Sequence, residues 1–93
     1  MDIDQLPSLG AQLSALRKQN FPQDTQQDFA LRIGVSKGTY LKMEKGLLSI
    51  SMASYYAAAV RHGIQARFNE LFIPLPESKD LFQAAQNQKR PNK

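Results

Sequence analysis

The chain has 93 residues, a hydrophobic share of 42% and a net charge of +4, which suits one small domain with a single core. It contains no cysteine and one histidine, His62, so disulfides, thiolate metal sites and multi-histidine metal sites are excluded. No apolar run approaches the roughly 20 residues that span a membrane, and residues 1–6, with Asp2 and Asp4 but no base, do not read as a signal peptide; a cytoplasmic protein without a cofactor or metal is expected.

Leu9, Leu13 and Leu16 recur at helical spacing, with Ala11 and Ala15 between them. They predict a first helix capped by Ser8. Arg17 and Lys18 fall in its last turn, where cations suit the negative end of a helix. Asn20-Phe21-Pro22-Gln23-Asp24 then breaks the pattern, because Pro22 disfavours helix at Phe21. Thr25 opens a second helix, and Asp28 completes a Thr-x-x-Asp capping pattern. Phe29, Ala30 and Ile33 form its inward face. Gly34 follows, suited to the left-handed conformation that stops a helix, and Val35 plugs the turn into the core. Ser36 caps a third helix with Tyr40 and Met43 inward, and Gly46 closes it.

Residues 47–50 read as a loop. Ser51 caps a fourth helix with Met52, Tyr55, Tyr56 and Ala59 on the buried side. Gly63 ends it, and His62 stands where a histidine commonly interacts with the helix dipole. Residues 64–72 predict a fifth helix with Ile64, Phe68, Leu71 and Phe72 apolar. Pro74 and Pro76 punctuate the chain, and residues 77–88 predict a last short helix around Leu81, Phe82 and Ala85. A polar tail with Lys89, Arg90 and Lys93 follows. There is no strand-like alternation, no internal repeat and no low-complexity tract.

Residues 25–46 thus join two capped helices through one glycine. From Arg17 to Lys45 the chain carries six basic residues against three acids. This is the layout of a helix-turn-helix, a unit that places its second helix in the DNA major groove. A basic balance alone also serves an anionic membrane or an acidic partner. Here the third-helix lysines alternate with inward Tyr40 and Met43, which leaves no broad amphipathic face for a membrane. A nucleophile elbow, a phosphate-cradling glycine loop, metal-ligand spacing and paired carboxylates are all missing, so no enzyme is expected.

The spacing of Thr25-Gln26, Phe29-Ala30, Ile33-Gly34-Val35-Ser36, Tyr40, Met43-Glu44-Lys45-Gly46 and Ser51 through Gly63-Ile64 resembles the phage-repressor type of helix-turn-helix domain, the Cro/C1 or XRE-like family. The resemblance covers residues 9–72. It implies an all-α, five-helix, lambda-repressor-like DNA-binding domain over residues 1–76, with a C-terminal extension over residues 77–93. It implies a transcriptional regulator, a repressor that binds a palindromic double-stranded operator as a homodimer with its third helix in the major groove. By position, Gln26 would grip a phosphate at the start of the second helix. Lys37 and Lys42 would touch base edges, where a lysine can donate to guanine O6 or N7, and Thr39 and Lys45 would hold phosphates. Arg17 and Glu44 match positions that pair in the family, which would also bring Arg17 near a phosphate. Such a pair, when exposed, is worth about 0–1 kcal/mol.

Two positions depart from the family pattern. Gly38 stands where a contacting side chain is common, and it costs the helix about 1 kcal/mol relative to alanine. It either admits a close backbone approach or leaves a base unread. Leu41 is apolar at an outward position, placed to meet a thymine methyl or simply exposed, as single leucines often are. The connection over residues 20–24 is also slightly longer than the commonest family form. Phe68, Leu71, Phe72 and Ile73 offer more apolar surface than a monomer needs and predict the dimer interface. The alternative is an antitoxin or adaptor that docks a toxin protein. Ser78-Lys79-Asp80-Leu81-Phe82 is an apolar clip in polar sequence. Together with Tyr55-Tyr56-Ala57-Ala58-Ala59 it is similar to HipB-type antitoxins, which autoregulate their operon and bind a kinase toxin.

Overall fold

Thr25, Ser36 and Ser51 each accept a hydrogen bond from the backbone N–H three residues on, at 3.1, 3.0 and 3.1 Å. Each bond satisfies a donor that the start of a helix otherwise leaves open. In the computed structural model, which describes residues 3–75, these caps open α2 (Gln26–Ile33), α3 (Lys37–Met43) and α4 (Met52–His62). The helix α1 (Pro7–Asn20) precedes them and a 3₁₀ helix (Gln65–Glu70) follows. Among the described residues the fold is all-α, with four α-helices and one 3₁₀ helix. At Thr25 the capping box is complete, because the Asp28 carboxylate accepts from the Thr25 N–H at 3.0 Å. Gly34 and Gly63 stop α2 and α4 with φ of 77° and 76°, as a left-handed C-cap requires.

The first helix starts one residue before the predicted cap. Pro7 takes its first position, where a missing N–H costs nothing, and Leu6, not Ser8, is the N-cap, with no side-chain bond. The N–H of Leu6 donates instead to the Gly46 carbonyl at 2.7 Å, and that of Leu48 to the Asp4 carbonyl at 3.0 Å. Beside these bonds, Gln5 and Leu47 form an isolated antiparallel bridge. The segment before α1 is thereby tied to the loop after α3.

Gly10 shows how closely the two meet. A Cβ at this mid-helix position would collide with the Glu44 carbonyl and the Gly46 nitrogen, and one at Gly46 would collide with the Leu6 carbonyl. Helix propensity alone would make Gly10→Ala stabilising by about 1 kcal/mol. The collision is with backbone, which cannot turn aside, and overpacking costs about 1–3 kcal/mol. The expected result in thermal denaturation is a lowered melting temperature. A raised one would mean that α1 does not rest on this loop.

The core consists of Leu13, Phe29, Ala30, Tyr40, Met43 and Ala58, with Phe21, Ile33, Val35, Ile50 and Tyr55 packed against it. The inward residues predicted for α2 and α3 are in place, and Val35 does plug the turn. Of the inward stripe predicted for α4, Tyr55 packs against the core and Ala59 is buried, but the other two are not. Met52 and Tyr56 are 60% and 45% exposed, while Ala58 is buried beside Ala59. Ala58 joins the core cluster that holds Phe29, Ala59 lines the cavity beside α1, and the bulkier pair stays largely exposed. The predicted fifth helix is shorter and tighter than expected. It has no side-chain cap, and 3₁₀ geometry is favoured only in short pieces. The helix predicted over residues 77–88, with Leu81 and Phe82, lies outside the described residues.

Candidate nucleic-acid interface

Backbone bonds within a few residues close the turn between α2 and α3. Gly34 N–H donates to the Leu31 carbonyl and Val35 N–H to the Ala30 carbonyl at 3.0 Å. Below the turn, Phe29 meets Tyr40 with ring centroids 5.3 Å apart, and both residues have no exposed surface. The second helix therefore sets the position of the third through a closed aromatic contact. With Tyr40 and Met43 turned inward, Lys37, Lys42 and Lys45 are exposed. Among the described residues, none of their ammonium groups is in an ion pair. Three unneutralised cations within three turns make one face of this unit attractive to a polyanion.

The remaining predicted contacts divide. Thr39 is half-buried. Its N–H donates to Ser36 Oγ, and its hydroxyl accepts from the Ser36 hydroxyl at 3.0 Å. The Thr39 hydroxyl proton is not used in that pair. Gly38 is exposed and Leu41 half-buried. Gln26 is half-buried and its Nε2 donates to Glu44 Oε1 at 2.8 Å. One of its amide N–H bonds thus goes inward rather than toward a phosphate. No local pattern in the chain signals this contact, which spans 18 residues.

Arg17 is the clearest correction. Its predicted pairing with Glu44 is present, with Nε donating to Oε2 at 2.8 Å, and Nη1 also donates to the Asp24 carbonyl at 3.0 Å. The pair is not an exposed one. The two side chains retain only 10% and 6% of their exposure, which removes Arg17 from the candidate contact face. Burial alone would raise the Glu44 carboxyl. Hydrogen bonds from Arg17 and Gln26, with the Tyr40 hydroxyl close by, outweigh it and hold Glu44 below the usual carboxylate range. Burial, followed by the neighbouring Glu44 carboxylate, pushes the Tyr40 hydroxyl well above its ordinary value. This buried polar knot joins α1, α2 and the end of α3.

A second set of contacts fixes the loop before α2. The Arg32 guanidinium lies 4.5 Å from the centroid of Phe21 and donates to both Asp24 carboxylate oxygens. That hydrogen bonding holds Asp24 below its usual value. His62 is not simply a dipole partner at the end of α4. Its ring stacks on Phe29 at 5.0 Å and 12°, and its Nδ1 meets Asn20 Nδ2 at 3.0 Å. Burial holds His62 below its ordinary value.

Of the residues predicted for a dimer or partner interface, Phe68, Leu71 and Phe72 are among the described residues. Phe68 is half-buried and packs edge-to-face on Tyr56 at 5.2 Å. Leu71 and Phe72 are 52% and 90% exposed. A cavity of about 320 Å³ between α1, α4 and the 3₁₀ helix is lined by Leu9, Leu16, Ile64 and Phe68 among others. A second, of about 280 Å³, adjoins Leu6, Leu48, Met52 and Leu71. Among the described residues no group of three or more His, Asp or Glu side chains is placed to hold a metal ion, and no helix is long and apolar enough to cross a membrane.

Comparison of the chain with protein-family models, curated proteins and solved structures gives no match. The functional reading therefore rests on the sequence pattern and the geometry of the site.

Proposed function

We propose that the chain is a sequence-specific double-stranded DNA-binding transcriptional regulator of the Cro/C1 helix-turn-helix type. In this reading it is a repressor that inserts α3 into the major groove. The observation that carries it is the α2–α3 unit itself: two side-chain-capped helices, a left-handed glycine between them, and Phe29 locked on Tyr40. The same packing leaves Lys37, Lys42 and Lys45 exposed and unpaired. Lys37 and Lys42 read base edges, and Thr39 and Lys45 hold phosphates. Gln26 contributes through its second amide N–H while Glu44 orients the first. One such helix reads few bases, so the regulator acts as a homodimer on half-sites about 34 Å apart. The exposed side chains of Leu71, Phe72 and Ile73, next to the two apolar cavities, supply the interface.

The same apolar surface favours one second reading, an antitoxin-type adaptor in which it docks a toxin protein. Sedimentation and pull-down with the product of the adjacent gene separate the two.

Lys42→Ala tests the readout. The expected result is a loss of about 1–3 kcal/mol in discrimination between a selected operator and random duplex, measured by fluorescence anisotropy. Equal weakening on both duplexes would make Lys42 a phosphate contact and remove it from the base-reading set.

A further inference from the structure

Four of the chain's five glycines have a structural reason. Gly34, Gly46 and Gly63 have φ of 77°, 78° and 76°, a region that side chains rarely adopt. Gly10 lies against the backbone of Glu44 and Gly46. Gly38 shares neither property. Its φ is not positive, and a Cβ placed on it meets only the Ser36 hydroxyl oxygen, at 4.0 Å. Alanine would fit there and would favour the helix. Local preferences broken with no compensating contact inside the fold are expected at functional sites.

The surroundings of Gly38 indicate which function. It is exposed in the first turn of α3. Leu41 is its neighbour at i+3 on the helix surface; it is half-buried and does not belong to the side chains packed on the core. Lys37, Lys42 and Lys45, all exposed, are its neighbours along the same segment. We infer that Gly38 and Leu41 form a notch that receives the 5-methyl group of a thymine in the major groove. This rests on the DNA-binding reading above and adds a base preference to it. The bare Cα at 38 lets the backbone approach the base pair closely, and Leu41 supplies an apolar wall. The thymine methyl is the one apolar group that base pairs present in that groove. Lys37 and Lys42 address neighbouring base edges, and Lys45 holds a phosphate beside it.

The experiment uses the full chain and a duplex selected by it from a random pool. Each thymine of that duplex is then replaced in turn by uracil, which removes only the methyl group. At one thymine per half-site the wild type is expected to bind about fourfold more weakly, the value of one buried methyl. Gly38→Ala fills the notch. It should bind the thymine duplex at least as weakly as the wild type binds the uracil one, and should no longer distinguish the two. Its melting temperature should rise by about 4–8 °C. Unchanged binding by Gly38→Ala, or tolerance of uracil at every position, overturns the notch and leaves the DNA-binding reading intact. If the wild type retains no duplex from the pool, the DNA-binding reading falls and the notch falls with it.

Discussion

Glu44→Ala should lower folding stability by about 3–5 kcal/mol, the cost of leaving a buried charge without its partner. Glu44 accepts from Arg17 at 2.8 Å and from Gln26 at 2.8 Å, and both guanidinium and carboxylate are shielded from water. Removing the carboxylate strands the Arg17 charge between α1 and α3. The double variant Arg17→Met with Glu44→Ala should recover much of the loss, because apolar replacements of buried ion pairs are often neutral or better. Urea denaturation of the two single variants and the double measures this coupling. Additive losses would mean that the two side chains act independently. The pH dependence has a defined sign. The folded-state Glu44 value lies below the unfolded one, so its contribution is complete above the ordinary carboxylate value near 4.5. It is lost as pH falls through the lower, folded-state value. The acid transition of the wild type should therefore be steeper than that of the double variant.

Phe29→Ala is expected to have an effect of similar size, about 3–5 kcal/mol. The ring has no exposed surface and touches three others: Phe21 at 5.4 Å, Tyr40 at 5.3 Å and His62 at 5.0 Å. It is the point at which α1, α3 and α4 meet through α2. Its loss leaves a cavity beneath α3, and any affinity for duplex DNA should fall with the fold. Phe72→Ala is the control. Phe72 is 90% exposed, and exposed substitutions usually change monomer stability by no more than about 0.5 kcal/mol. Thermal denaturation at a concentration where the chain is monomeric checks both. A Phe29→Ala variant that melts with the wild type would refute the proposed core.

What was legible in the chain was mainly what is decided locally. Thr25, Ser36 and Ser51 cap the residues just after them, and Gly34 and Gly63 end the helices just before them. Those signals span three or four residues and fixed the α2–α3 unit correctly. The inward set Phe29, Ala30, Tyr40 and Met43 followed from the same short spacing. The pairing of Arg17 with Glu44 came from family resemblance, and its burial was not visible there. Contacts between distant residues were missed. Gln26 turns to Glu44, His62 stacks on Phe29, and the segment before α1 pairs with the loop after α3. None of these leaves a periodic trace. Gly10 carries no local signal, because its reason is the backbone of Glu44, 34 residues away. On α4, Tyr55 and Ala59 turn inward as their spacing predicts, but Ala58 stands out poorly because alanines carry a weak signal. Ala58 packs on the core while the more conspicuous Met52 and Tyr56 do not.

The central claim is that α3 reads duplex DNA, and selection of duplexes from a random pool by the wild-type chain tests it most directly. The expected result is enrichment of one sequence with two inverted half-sites about one helical turn apart, bound with an affinity that falls steeply as salt rises. Retention without enrichment of any sequence, or no retention at all, would contradict it.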